Sequence, residues 1–217
     1  MNLNNKDMMI DVITKAVKNV LKDYEERLVP IGVSNRHVHL CREDLDFLFG
    51  KGYELTKLKD LGQPGQFAAK ETVKIVGPKG SFEKVRILGP VRDLTQVEVA
   101  LSDGYTLGIK PPIRESGKIE KTPGILIKGP KGSVAKNCGV IAALRHIHMT
   151  PEIAKAYGVE DKEMVAVEVI GIRKTIFGNV LVRVSNKYSL EMHIDLDEAN
   201  SSGLRNGDKV KILKNKE

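Results

Sequence analysis

Tryptophan is absent from this chain, and cysteine is close to absent, with Cys41 and Cys138 its only two. Neither belongs to a C-x-x-C pair, which argues against a disulfide scaffold and a cysteine-rich structural zinc site and suits a reducing cytosol. Aromatic residues make up only 5% of the chain, so there is little to stack on nucleic-acid bases. No apolar run approaches the roughly 20 residues that a membrane span needs. The stretch from Met8 to Leu28 is interrupted by Asp11, Lys15, Lys18 and Lys22, unlike a secretory signal. What remains is a globular protein of 217 residues, expected in the cytoplasm and long enough for one large core or two small ones.

The formal net charge is +7. A basic chain can attract nucleic acid, but it can equally attract a small polyanion such as a nucleotide cofactor. The lysines are scattered, apart from the tail after Lys209, and nucleic acid is not the expected partner.

One long amphipathic helix is expected over 8–28, where Ile10, Ile13, Val17, Val20, Leu21, Tyr24 and Leu28 recur at helical spacing. It suits packing on a barrel or a partner subunit, and equally a targeting peptide; packing is the simpler expectation. Beyond Leu28, short strand-like runs such as Thr72 to Val76, Lys84 to Leu88 and Val165 to Ile170 alternate with Gly/Pro turns. Helical stretches are brief: Arg42 to Phe49, Pro151 to Tyr157 and Asp197 to Ser202. This pattern predicts a mainly β fold of barrels or sandwiches rather than a doubly wound sheet. Arg36-His-Val-His-Leu40 recurs as Arg145-His-Ile-His-Met149, and Gly77-Pro-Lys-Gly-Ser81 as Gly129-Pro-Lys-Gly-Ser133. Two related barrels explain both echoes; for the second, a common hairpin turn explains it as well.

All five histidines fall into three clusters: His37-x-His39, His146-x-His148 and the single His193. Residues two apart project from one face of a strand, so each pair can converge on one ion. A lone histidine is usually a packed core or surface residue, but here none lies outside the clusters. Five imidazoles and one carboxylate make six ligands, enough for two three-ligand sites with an open position each. Imidazole suits zinc, and also iron, cobalt or nickel. Glu71 and Glu98 are both candidates for the carboxylate, and spacing does not choose between them. Arg92 can clamp phosphate with its planar fork, although an ordinary salt bridge is the simpler reading. Ser34 and Cys41 stand beside the first pair without a recognisable nucleophile context.

At these residues the chain resembles the phosphate propanoyltransferases, phosphotransacylases of bacterial microcompartments and some fermenting bacteria. The resemblance runs from about Val29 to the C-terminus. It is carried by Gly32-Val-Ser-Asn-Arg-His-Val-His-Leu40, Gln63-Pro-Gly-Gln-Phe-Ala-Ala-Lys-Glu-Thr72, Leu88-Gly-Pro-Val-Arg92, Arg145-His-Ile-His-Met149 and Glu191-Met-His-Ile-Asp195.

The resemblance implies two β-barrels with short capping helices, one from 29–35 plus 144–217 and the other from 36–143, behind an N-terminal helix of 1–28. It implies two zinc ions per chain, one on His37, His39 and Glu98 and the other on His146, His148 and His193. Arg92 matches the family's phosphate-binding arginine. Coenzyme A is expected at Val33, Ser34 and Asn35, with Lys59, Arg86 and Asn200 nearby. The implied reaction interconverts acyl-CoA plus phosphate with acyl phosphate plus CoA, propanoyl or another short acyl group being transferred directly. A homo-oligomer is expected, and the N-terminal helix of compartment-bound relatives adds shell or lumen proteins, and propanediol degradation, to the expected context. A metal-dependent thioester or phosphoester hydrolase is the alternative enzyme, and a metal-stabilised binding module the alternative of another class.

Overall fold

The computed structural model describes residues 3–213. Helix α1 (Leu3–Glu26) ends where Arg27 turns into the left-handed region at φ 54°, and Leu28 already opens strand β1 (Leu28–Ser34). The helix therefore stops two residues short of the expected Leu28. Its apolar positions Ile10, Ile13, Val17, Val20 and Leu21 are all more than half exposed, so α1 does not bury its stripe within this chain. Among the described residues, no helix is long and apolar enough to cross a membrane.

The central segment runs β2 (His37–His39), α2 (Arg42–Phe49), β3 (Lys57–Asp60), β4 (Phe67–Val76), β5 (Ser81–Gly89), β6 (Gln96–Glu98), α3 (Leu101–Leu107), β7 (Ile113–Arg114), β8 (Ile125–Lys128), β9 (Ser133–Lys136) and β10 (Val140–Ala143). Helix α3 escaped the sequence pattern because Ser102 and Gly104 weaken its propensity and Leu107 is its one buried large apolar side chain. The strands form one sheet in the order β7-β10-β6-β2-β5-β4-β8-β9, with β3 added beside β4. Both Gly-Pro-Lys-Gly segments are hairpin turns: Gly77 N–H donates to Gly80 O over 2.8 Å, and Gly129 N–H to Gly132 O over 2.9 Å. They join β4 to β5 and β8 to β9.

The C-terminal segment runs β11 (His146–Met149), α4 (Pro151–Tyr157), β12 (Met164–Val169), β13 (Thr175–Val184), β14 (Glu191–Asp195), α5 (Leu196–Ser202) and β15 (Lys209–Ile212). With β1 these strands close a six-stranded barrel, β1-β14-β11-β13-β12-β15. Alternating inward side chains, among them Val29, Ile31, Ile147, Val167, Val182, Met192 and Val210, fill its core. The capping helices stop and start where sequence chemistry dictates. Thr150 caps α4 ahead of Pro151, Asp195 and Glu198 form a capping box on α5, and Gly158 and Gly203 end the two helices in the left-handed conformation.

The fold is mainly β, as expected, and has two β units. One closes into a barrel and the other stays a curled, open sheet. Closure of the second would require its edge strands β7 and β9 to meet. β7 has only two residues, both exposed, and α2 packs beside β9, where Lys136 Nζ lies 2.8 Å from Asp44.

The units exchange strands. β1 precedes β2 in sequence but pairs in parallel with β14, Gly32 opposite His193. β10 precedes β11 but pairs in parallel with β6, Ile141 opposite Glu98. Each histidine pair is thus entered from a strand that belongs to the other unit.

Candidate active site

Strand β2 is three residues long, and its period of two turns His37 and His39 to the same side. Antiparallel β6 sets Glu98 opposite His37 and Gln96 opposite His39. Glu98 Oε2 lies 3.4 Å from His37 Nε2, and Oε1 lies 3.8 Å from His39 Nε2. Potential ligand atoms of these three buried residues all lie within 4.8 Å of one another, the one such group among the described residues. Tautomers are set from behind: His37 Nδ1–H donates to Asn35 O at 2.8 Å and His39 Nδ1–H to Leu88 O at 3.3 Å. Both rings therefore present a lone pair at Nε2, the arrangement of a histidine held for a metal.

Glu98 is gripped on its other side. Gln96 Nε2 donates to its Oε1 over 2.6 Å, and Ser116 Oγ donates to the same oxygen over 3.0 Å. Gly117 N–H in turn holds Gln96 Oε1 at 2.7 Å, and Arg92 Nη1 reaches Ser116 Oγ at 3.3 Å. Burial alone would raise the Glu98 carboxyl, but His37 first, then His39 and Arg92, hold it well below its usual value. Burial likewise opposes a charge on His37, yet Glu98 outweighs it and raises that imidazole.

The second cluster repeats this plan. β14 sets His193 opposite His146 and Glu191 opposite His148. The three ring centroids lie 4.6, 5.0 and 5.1 Å apart, and their ligand atoms do not all come within the 4.8 Å that spans the first group. His146 Nδ1–H donates to Leu144 O at 2.8 Å, matching His37 and Asn35. His148 Nδ1 and His193 Nε2 are buried without an aligned hydrogen-bond partner. Orphaned ring nitrogens beside a fixed tautomer are what an imidazole set for a divalent ion presents, so the donors fit zinc. Burial first, then the neighbouring imidazole, lowers His146 to about 4 and His148 to about 2.

Both clusters open into one cavity of about 780 Å³. Arg92, Val33, Ser34, Asn35, Lys59 and Arg86 line it as well, so these expected site residues are brought together. Arg92 is mostly desolvated, which lowers its pKa from the usual arginine value. Asn200 is exposed on α5 and does not line the cavity. Glu71 bonds Tyr53 Oη at 2.9 Å and the Thr56 N–H, and does not line the cavity. Cys41 stands at the start of α2, with Thr95 Oγ donating to its Sγ at 3.4 Å, and is also absent from the lining.

Residues that the sequence reading did not pick out include Gln96, Ser116, Gln63 and Glu191. The available signal was period two: Gln96 precedes Glu98, and Glu191 precedes His193, by two positions on a strand. Arg36 and Arg145 were seen as a repeated letter without a role. Arg36 Nη2 pairs with Asp103 of α3 at 2.6 Å and Arg145 Nη1 with Glu198 of α5 at 3.3 Å, so each ties its histidine pair to a helix.

A family model described as phosphate propanoyltransferase matches residues 30–205. Relatives named phosphate propanoyltransferase occur in Thermotoga maritima (55% identity over 95% of this chain and 99% of the relative), Rhodobacter capsulatus (53%, 88% and 89%) and Clostridioides difficile (48%, 96% and 99%). With the mainly β fold and the paired clusters already in view, this chain belongs to the phosphate propanoyltransferase family, a family of phosphate acyltransferases.

Proposed function

We propose that the chain transfers a short acyl group reversibly and directly between coenzyme A and phosphate, at a site that holds two zinc ions. The observation that carries this reading is convergence: both histidine clusters, Arg92 and the end of β1 share one cavity. Bound ions of this kind supply Lewis acidity toward a thioester carbonyl and toward phosphate oxygens. His37, His39 and Glu98 are the proposed ligands of one, and His146, His148 and His193 of the other.

The chain's own part is positioning and charge. The Arg92 guanidinium meets phosphate oxygens with two parallel donors, its approach fixed by Ser116. A phosphate oxygen attacks the thioester carbonyl carbon, a C–O bond forms, and the C–S bond breaks as the CoA thiolate departs with the electron pair. Val33, Ser34 and Asn35 are the proposed contacts for coenzyme A, with Lys59 and Arg86 supplying cations for its phosphates and Asn200 the outermost of the set. Arg86 already donates to Ala69 O and Lys70 O, which orients its fork.

No covalent acyl-enzyme is needed in this reading: Cys41 lies outside the cavity, its Sγ accepting from Thr95 Oγ. Cys41→Ser and Ser34→Ala are expected to retain turnover. Loss of chemistry in both, with metal and CoA binding intact, would overturn direct transfer. The reaction itself is tested by thiol release from propanoyl-CoA, with and without phosphate, before and after chelation. Release that needs phosphate and stops on chelation supports the acyltransferase; release without phosphate supports the hydrolase reading instead.

The proposed division into 29–35 plus 144–217 and 36–143 follows sheet membership, with the site between the units. The exposed apolar stripe of α1 supports cover by another polypeptide, either a second copy of this chain or a compartment protein.

A further inference from the structure

One short turn of the central unit holds on to both units at once. It follows β7. Arg114 O accepts from Leu144 N–H at 2.8 Å, and Lys118 N–H donates to Glu115 O at 3.0 Å. Gly117 supplies the left-handed φ of 97° inside the turn.

Adjacent residues of this turn reach in different directions. Ser116 Oγ donates to Glu98 Oε1 over 3.0 Å and accepts from Gln96 Nε2 and Arg92 Nη1 at 2.9 and 3.3 Å. Glu115 reaches the barrel instead. Lys162 Nζ lies 2.8 Å and Arg183 Nε 3.7 Å from its Oε1, with Lys118 of the turn 2.9 Å from its other oxygen. The Glu115 side chain is only 14% exposed, which shields this cluster more than a solvated surface pair. The barrel side is itself fixed: Lys162 N–H donates to Val182 O at 2.9 Å, next to Arg183 on β13.

Arg92 and Arg183 both line the large cavity, one from each unit. They are close enough that the Arg183 charge helps to lower Arg92, after burial. Two like charges in one cavity move apart unless each is held, and the ligand that suits the space between them is an anion. Ser116 holds one arginine and Glu115 the other. Glu115 does not itself line that cavity, so it acts from behind.

We propose that Glu115 is a positioning residue for phosphate: it pins the turn to the barrel, so that Ser116 presents Arg92 to the anion at a set distance from Arg183. The inference rests on the phosphate role of Arg92 given above. Glu115 touches no substrate and acts through its two neighbours.

The test measures steady-state kinetics of the full-length protein with propanoyl-CoA and phosphate, and the rise in Tm that phosphate alone produces. E115Q is expected to raise the apparent KM for phosphate about 3–30-fold, with the KM for propanoyl-CoA unchanged. It is also expected to need correspondingly more phosphate for the same rise in Tm. E115D keeps the carboxylate and is expected to recover most of the loss. K162M removes the anchor from the barrel side and is expected to move the phosphate KM in the same direction, a second route if E115Q does not fold. An unchanged phosphate KM, or equal losses for both substrates, overturns the positioning role alone. A wild type that releases thiol without phosphate overturns the transfer reading, and this inference with it.

Discussion

His37 and His146 occupy the same place in their two units: each donates its Nδ1–H over 2.8 Å to the carbonyl two residues back, and each faces a third side chain across an antiparallel ladder. The duplication therefore extends from the sequence letters to the tautomer. It fixes two imidazole rings by identical local means, with the extended strand supplying the carbonyl.

Arg92→Ala tests the phosphate contact. A lost hydrogen bond to a charged group removes about 1.5–3 kcal/mol, so the apparent KM for phosphate is expected to rise about 10-fold or more and turnover to fall. The KM for CoA is expected to change little. Phosphate dependence equal to that of wild type removes Arg92 from its role.

Gln96→Leu tests the brace on Glu98. The carboxylate would lose its 2.6 Å bond and Gly117 N–H its acceptor, both near a buried charge. The expected loss of stability is about 2–3 kcal/mol. Urea denaturation of the metal-free protein reads it, and an unmoved midpoint counts against a supporting role.

How far the site could be read beforehand depended on range. H-x-H on a strand is local, so His37, His39, His146 and His148 were legible from period two. Glu98 and Glu71 could not be separated, because strand pairing, not spacing, sets one opposite His37 and the other beside Tyr53. Ser116 reaches Glu98 from a loop between β7 and β8, a contact no local pattern encodes. Barrel closure was equally out of reach: it turns on whether edge strands meet, and β7 is too short to signal anything.

The metal-free protein is expected to lose stability in mild acid. Burial first, then neighbouring imidazoles, holds folded His39 at about 3, His146 at about 4 and His148 at about 2, against an ordinary 6.5. Below about pH 6.5 the unfolded chain takes up protons that the folded one refuses, weakening the fold by up to about 1.4 kcal/mol per pH unit for each ring. His37 acts oppositely: its raised value adds stability below 6.5 that is lost as pH rises through the folded pKa. Three rings outweigh one, so Tm is expected to fall from about pH 7 to about pH 5. A rising Tm would contradict this.

Glu115 should govern a more acidic window. Lys162 and Lys118 first, with Arg183 further off, hold its carboxyl at about 2 instead of 4.5. Its contribution is complete above about pH 4.5 and disappears as pH falls toward about 2. In Glu115→Gln, thermal unfolding is expected to lose part of that acid dependence, and an identical profile would refute the assignment.

Removing residues 1–26 tests what α1 does for the fold. The cut keeps Arg27, whose carbonyl accepts from Ile212 N–H at 3.2 Å. Because Ile10, Ile13, Val17, Val20 and Leu21 are exposed, stability is expected to stay within about 0.5 kcal/mol, with turnover unchanged. A large fall in Tm would place α1 in the packing, and sedimentation of both forms would show whether it joins copies.

The exchanged strands also set an order for biosynthesis. β1 leaves the ribosome before the central sheet, yet its ladder partners β14 and β15 follow that sheet. The first stave of the barrel must wait, apolar side chains and all, while the whole central sheet emerges. β10, by contrast, arrives when β6 is already present. Assembly during translation therefore favours the open sheet first, and the barrel is sealed only once β14 and β15 have emerged.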